Sequence, residues 1–387
     1  MKTSRRSRTA PFIAMDVLAK ARAAEAEGRD IVHMEVGEPA AGAPHIAHRA
    51  VVKAMARGES MGYTDGLGLP SLRAGIAALY RRRHGLDLDP GRVVVTAGSS
   101  AGFMLAFLAL FDTSARVGIG DPGYPAYRNI LTALGLQGVR LETGLETAYQ
   151  PTPALLAEAG RLDGLMLASP ANPTGTMLGR TELTALAQHC EAEGTVLISD
   201  EIYHGLEFGE KAVSALEVSD NAIVVSSFSK YYAMTGWRIG WMVVPEAMVR
   251  PIQTLAQNLF ICAAHPSQIA AEAALSEEGE AEAASHLAAY ARNRTTVLDG
   301  LAKLGFSDIA PATGAFYAYA GLGALSHDSK AFCAALLQAE GVATTPGLDF
   351  DPVRGHTTLR LSYAQSPERI EEGMRRLGAF VAAGCPV

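Results

Sequence analysis

Lys230 stands eight residues before Arg238 in the stretch Ser227-Phe228-Ser229-Lys230-Tyr231-Tyr232-Ala233-Met234-Thr235-Gly236-Trp237-Arg238-Ile239-Gly240. Two polar segments precede it, Asn172-Pro173-Thr174-Gly175 and Asp200-Glu201-Ile202-Tyr203. Singly, each has an ordinary reading: a solvated lysine after a strand, a surface turn, an arginine beside a tryptophan. Together they offer an amine, a carboxylate, a phenol, an amide and a guanidinium. Two other segments match patterns that carry chemistry. Gly98-Ser99-Ser100-Ala101-Gly102 fits G-x-S-x-G, the turn on which a serine hydrolase presents its nucleophile. That reading makes Ser100 the nucleophile, with Asp328 or Asp351 and His356 as partners, yet no HGGG-type oxyanion segment lies upstream. The same small residues at a strand-to-helix turn also leave backbone N–H groups free to hold a phosphate. Gly118-Ile119-Gly120-Asp121-Pro122-Gly123 fits G-x-G-x-x-G, and Glu142 lies 19 residues after Gly123, which imitates a dinucleotide fingerprint. Pro122 and Pro125 keep a helix from starting before Pro125, so the segment reads as a turn.

Short apolar runs precede the chemistry-bearing segments. They lie at 93–95, 117–119, 165–167, 196–198 and 223–225. Runs without alternation suit strands buried on both faces of a mainly parallel sheet. Helical patterns lie between several of them: Leu183, Leu186, Ala187 and Cys190 share one face, and Gly194 stops that helix. Each run gives way to a polar segment: Gly98-Ser99-Ser100, Asp121-Pro122-Gly123-Tyr124, Ser169 to Gly175, Asp200 to Tyr203, and Ser226 to Lys230. If the strands are parallel, all five segments emerge at one sheet edge, where open α/β sheets bind ligands. The Ala- and Glu-rich stretch 272–289 reads as helix. In the C-terminal third, strands at 314–319 and 358–362 with helices at 330–340 and 367–382 predict a smaller α+β domain, joined by the N-terminal segment. The expected division is an arm and part of the small domain over 1–44, a large domain over 45–285 and a small domain over 286–387.

Composition removes several classes. The 387 residues hold 33 Lys and Arg against 40 Asp and Glu, a net charge of −7, so no basic surplus points to nucleic acid. With 49% hydrophobic and 19% charged residues, the chain can build a large core and is not disordered. Its longest near-apolar run, 101–111, is far short of the roughly 20 residues of a membrane span. Cys190, Cys262, Cys333 and Cys385 are scattered, with no spacing for a zinc site or a disulfide frame, so no metal is expected. Lys2, Arg5, Arg6 and Arg8 lead into no apolar core, so a cytoplasmic protein is expected rather than a secreted one.

From Val36-Gly37-Glu38-Pro39 to Arg360, the chain resembles the pyridoxal-phosphate-dependent aminotransferases of class I and II, the aspartate aminotransferase superfamily, which have fold type I. The resemblance implies an α/β large domain with a mainly parallel sheet flanked by helices, a small α+β domain, and transfer of an amino group between an L-amino acid and a 2-oxo acid (EC 2.6.1.-). It implies that Lys230 forms the internal Schiff base with the cofactor aldehyde and then moves the Cα proton, and that Asp200 pairs with the pyridine nitrogen. Tyr203 and Asn172 would hydrogen-bond the phenolic oxygen. Ser99, Ser100, Ser227 and Arg238 would hold the phosphate, and Tyr124, a tryptophan in some relatives, would stack on the ring. Tyr63 would reach the phosphate of the neighbouring subunit, which implies a homodimer. Gly37, Asn172 and Arg360, the last in Thr358-Leu359-Arg360-Leu361-Ser362-Tyr363, would bind the substrate α-carboxylate.

The phosphate-cradle loop carries no cation, where some relatives place one to meet an acidic side chain, so an acidic donor is not implied. Phe12, Ile13 and Phe316 are candidates for an apolar pocket suited to alanine, branched or aromatic donors. The nearest rival is a same-fold C–S β-lyase, because Lys230 and Asp200 serve both reactions. A pyridoxal-phosphate-sensing transcription regulator would need a DNA-binding domain ahead of the family-like part, which begins near Val36.

Overall fold

The computed structural model describes residues 2–385. Among them, seven strands form a central sheet in the order Val93–Thr96, Gly240–Val243, Ile223–Ser227, Val196–Asp200, Gly164–Ala168, Arg116–Asp121, Gln137–Glu142. Gly240–Val243 runs antiparallel to both neighbours, and the other pairings are parallel. The five strands expected from apolar runs therefore share one direction, and their C-terminal ends share one edge.

Both sheet faces are covered. Val93, Val95, Leu165, Leu167, Leu197 and Val224 pack in one core, and Val94, Met166, Ile198, Ile223 and Val225 pack in another. That is the period-2 division of strands buried on both sides, and it explains why their sequences show no alternation. Two strands of the sheet lie outside the five apolar runs singled out in the sequence. Gln137–Glu142 is a half-exposed edge with only Leu141 buried. Gly240–Val243 comes almost directly after the Arg238 turn and reverses the chain inside the sheet.

The helix carrying Leu183, Leu186, Ala187 and Cys190 spans Arg180–Glu193, with all four buried. The stretch 272–289 is not one helix. The chain forms His265–Ala274, Glu277–Ala284 and Leu287–Lys303, and the Ser276 hydroxyl caps the second by accepting from Gly279 N at 3.3 Å. High helix propensity along the run hides this break, because a serine cap restarts a helix without a glycine or proline.

A second, antiparallel sheet joins Thr345–Pro346, Thr358–Ser362 and Tyr317–Gly321, with helices Ser329–Glu340 and Pro367–Ala382 beside it. Val32–His33 pairs in parallel with Val342–Ala343, which ties the N-terminal segment to the C-terminal third of the chain. Among the described residues no helix is long and apolar enough to cross a membrane.

Candidate active site

The polar strand ends meet in a cleft of about 200 Å³, partly open to solvent, between the central sheet and the second sheet. Lys230 comes from the turn after Ile223–Ser227, and its Nζ donates to the Gly37 carbonyl at 2.6 Å. Burial lowers its pKa to about 8, the nearby Arg360 and Arg238 push the same way, and Glu38 opposes them. Asp200 ends its strand as a buried carboxylate. It accepts from the Tyr127 hydroxyl and from Ile202 N at 3.1 Å, and burial raises its pKa to about 6. Tyr203, on the next turn, shares a 2.8 Å hydrogen bond between its hydroxyl and that of Tyr317.

Arg360 lies mid-strand, almost fully buried, between the rings of Tyr317 and Phe350, each centroid 4.6 Å from its guanidinium carbon. One terminal nitrogen donates to Asn172 Oδ1 at 2.9 Å and the other to the Glu35 carbonyl, while Nε has no partner. At the opposite corner the helix Ser99–Leu110 begins without a side-chain cap, so its first-turn N–H groups are open to an anion. Gly98 precedes it at φ +78°, and a β-carbon there would lie 2.6 Å from Arg238 Nη2. Glycine thus lets the guanidinium approach the helix start. Arg238 itself sits in the left-handed region at φ +49°. Gly37 answers a similar demand, since a β-carbon there would stand 1.7 Å from the Tyr317 hydroxyl oxygen.

Of the residues expected at the site, Gly37, Ser99, Ser100, Tyr124, Asn172, Asp200, Tyr203, Lys230, Arg238 and Arg360 line this cleft. Ser227 stands behind it: its hydroxyl donates to the Ile239 carbonyl at 3.0 Å and accepts from Ser229 N at 3.0 Å, and Ser229 forms the wall. Tyr63 is 82% exposed on the surface, away from the cleft of its own chain. Phe316 corrects the apolar-pocket expectation. It sits in the turn before the strand Tyr317–Gly321 and packs inward against Tyr203 and Tyr290, while its neighbour Tyr317, the first strand residue, faces the cleft. Phe12 does line the cleft, with Met15 and Val36 taking the part expected of Ile13.

Tyr127 and Tyr317 went unnoticed in the sequence. Tyr127 lies one helical turn after Tyr124 on Pro125–Leu134, a spacing that could have flagged it. No local signal marks Tyr317. The two motif readings set aside also have locations. Gly118 to Gly123 is a strand end and turn, with the helix starting at Pro125. His356 is exposed and contacts the Val353 carbonyl, and among the described residues no histidine lines the cleft beside Ser100.

Phe12, Ala14 and Met15 belong to the N-terminal segment that closes the cleft. Phe12 gives its helix, Ile13–Ala26, no side-chain cap. Asp349 does so from 336 residues away, accepting from Ile13 N and Ala14 N at 3.0 Å each. Asp349→Ala is expected to lower stability by about 1–2 kcal/mol in urea unfolding and to speed tryptic cleavage at Lys20 and Arg22.

The donor set fits pyridoxal phosphate. Asp200 is a buried carboxylate whose direct partners are neutral, as suits a ligand bringing a cation. The uncapped helix start beside Arg238 suits a phosphate dianion. Arg360 keeps a buried free N–H for a carboxylate.

This architecture is that of the fold type I transferases. The family model of aminotransferase class I and II matches residues 29–377, and the chain belongs to that pyridoxal-phosphate-dependent family. It is 48% identical over 374 residues to a valine–pyruvate aminotransferase of Mycobacterium tuberculosis, covering 96% of both chains. Among solved structures, a putative aminotransferase from Silicibacter pomeroyi superposes with TM-score 0.93 at 55% identity, over 99% of this chain and 100% of that one. The Thermus thermophilus aspartate aminotransferase with maleate gives 0.92 at 31% identity, over 98% and 99%. The protein is an aminotransferase of EC class 2.6.1.- that moves an amino group between an amino acid and a 2-oxo acid.

Proposed function

We propose that this aminotransferase works on apolar monocarboxylic amino acids, with valine and pyruvate as the model pair, and that Lys230, Asp200 and Arg360 carry the reaction. The observation that carries this reading is the convergence of an amine, a buried carboxylate and a buried arginine in one cleft whose outer wall is Phe12, Met15 and Val36. The name of the mycobacterial relative supports the substrate pair. Lys230, Arg238 and Arg360 are the cations among the described lining residues. Arg238 belongs to the phosphate corner and Arg360 to the α-carboxylate, which leaves no guanidinium for an acidic side chain.

Pyridoxal phosphate, when bound, supplies an aldehyde that takes the amino group and a ring that accepts the electron pair released at Cα. Ser99, Ser100 and Arg238 would hold its phosphate, with Ser227 bracing Ser229 behind them, Tyr124 would cover one ring face, and Asn172 and Tyr203 would donate to its phenolic oxygen. Asp200 would keep the ring nitrogen protonated. The lysine Nζ, with its lowered pKa, would take the Cα proton of the substrate and hand it to the carbon that was the cofactor aldehyde. Gly37 and Asn172 assist Arg360 at the carboxylate.

Arg360→Lys tests the clamp. A single ammonium cannot serve Asn172, Glu35 and a carboxylate together. KM for the amino acid rises by about tenfold or more, while cofactor affinity, read from fluorescence titration of the apoenzyme, stays within twofold. An unchanged KM removes the assignment. The function itself is tested by half-reactions of the yellow holoenzyme with single amino acids. Valine bleaches the visible band and aspartate does not, and valine with pyruvate yields alanine without ammonia. Released ammonia points instead to the lyase.

The chain divides into 1–44, 45–285 and 286–387, a division supported by the two separate sheets and by the pairing of Val32–His33 with Val342–Ala343. It acts as a cytoplasmic homodimer in which Tyr63 reaches the partner's phosphate. Exposed Tyr63 lies near exposed Ile261, since Thr64 N contacts Cys262 Sγ at 3.4 Å and His265 contacts the Gly62 carbonyl at 2.9 Å, and the four free cysteines suit a reducing compartment. Sedimentation of a fully active monomer would exclude the dimer.

A further inference from the structure

Behind the strand ends, on the far side of the Asp200 turn from the cleft, lies a small compartment that holds several titratable groups. Its walls include Arg83, His84, Glu201, His204 and Tyr231. Glu201 is buried and accepts from Ser199 Oγ at 3.2 Å, Ser214 Oγ at 2.8 Å and Ala215 N at 2.7 Å, which anchors the base of the turn. His204, at the end of the turn, is buried too. Its Nε2 lies 3.0 Å from the Ser169 carbonyl, and Arg83 donates to the His204 carbonyl at 3.2 Å. The rings of His84 and His204 pack 5.3 Å apart, with His204 Nδ1 facing His84 Nε2 at 3.4 Å.

The partners fix the proton positions. A carbonyl only accepts, so His204 Nε2 carries hydrogen. His84 Nδ1 lies 2.9 Å from the Glu217 carboxylate, which against the effect of burial is kept charged by Ser214 N–H, Arg180 and His84 itself, so Nδ1 carries hydrogen there. Burial disfavours a charge on either imidazole, and Arg83 adds to that for both. His204 is therefore a neutral donor whose one N–H is committed to Ser169.

That bond joins two walls of the active site. Ser169 N also donates to the Asp200 carbonyl at 3.2 Å, so Ser169 is tied to both ends of the turn that carries Tyr203. Three residues further on is Asn172, whose Oδ1 meets Arg360. We propose that His204, its ring packed on that of His84, is a positioning residue that holds the Asn172 segment in register with Tyr203 through the Ser169 carbonyl. This rests on the reading that Asn172 and Tyr203 donate to the phenolic oxygen of the cofactor.

The test compares His204→Leu, His204→Gln and Asn172→Ala as holoenzymes. The glutamine amide nitrogen stands in for imidazole Nε2 and keeps the donor, whereas leucine removes it. Asn172→Ala, by losing a donor to the oxygen, shifts upward the pH midpoint at which the visible absorption band interconverts. His204→Leu is expected to shift it the same way and to lower kcat/KM between about 10- and 100-fold. His204→Gln restores both to within about threefold of the unaltered enzyme. If Asn172→Ala shifts the midpoint and folded His204→Leu does not, the inference fails while the reading of Asn172 stands. If Asn172→Ala leaves the midpoint in place, that reading fails and the inference with it. Should leucine prevent folding, His204→Gln alone decides: a midpoint and kcat/KM as far displaced as in Asn172→Ala overturn the proposal.

Discussion

Lys230→Ala is expected to reduce turnover by about 10⁴-fold while leaving the fold intact. The side chain makes one hydrogen bond, to the Gly37 carbonyl, and no residue in the cleft can replace its amine. Borohydride, which fixes the cofactor covalently to the unaltered protein, should leave the variant unlabelled, and peptide mass spectrometry locates the label at 230. The lowered pKa adds a sharper expectation. An ordinary lysine is neutral to about one part in a thousand near pH 7.5. Lys230, at about 8, is substantially neutral there, because burial and two neighbouring guanidiniums disfavour its charge. Reconstitution of the apoenzyme needs the neutral amine. Its rate should rise with pH and level off just above 8. A rate still climbing at pH 10 would mean that the environment of Lys230 has been misread.

The parts of this site legible in the sequence are those that local physics encodes. Strands buried on both faces must be apolar throughout, and the polar residues that end them stand out against that background. So the segments at Ser99, Asn172, Asp200 and Lys230 could be found, and their convergence came from the parallel direction now seen in the sheet. Tyr317 could not be found this way. Whether it or Phe316 faces the cleft depends on how the second sheet docks, and nothing nearby in sequence reports that. Ser227 shows the converse. Its spacing from Lys230 marks it, yet in the fold its hydroxyl is engaged by the Ile239 carbonyl and Ser229 forms the wall. Long-range caps are equally silent: no pattern links Asp349 to Ile13. The break at Ser276 escaped because helix propensity is a property of composition, whereas a cap depends on a single side chain.

Asp200→Asn should move activity and apoenzyme stability in opposite directions. In the folded chain the Asp200 carboxyl holds its proton up to about pH 6, chiefly because burial disfavours the anion; unfolded, it would lose it near 3.8. Between those values the native state binds more protons than the unfolded state. Stability therefore falls as pH rises through that window, and above pH 6 the full cost of the buried charge, on the order of 3 kcal/mol, is present. Asparagine keeps one acceptor oxygen for Ile202 N–H, turns its NH2 toward the Tyr127 oxygen, which can accept, and carries no charge. The apoenzyme variant should accordingly gain stability in urea at pH 8 and lose that gain near pH 4. A gain of equal size at both values would trace to packing rather than charge. With the cofactor bound the comparison reverses. On the proposed role of Asp200, a cationic ring nitrogen against the carboxylate would offset its desolvation, and asparagine could not hold that proton in place. Turnover should drop by about 10²–10³-fold; cofactor affinity should weaken as pH falls through 6 in the unaltered protein, and the variant should lose the part of that dependence that Asp200 contributes.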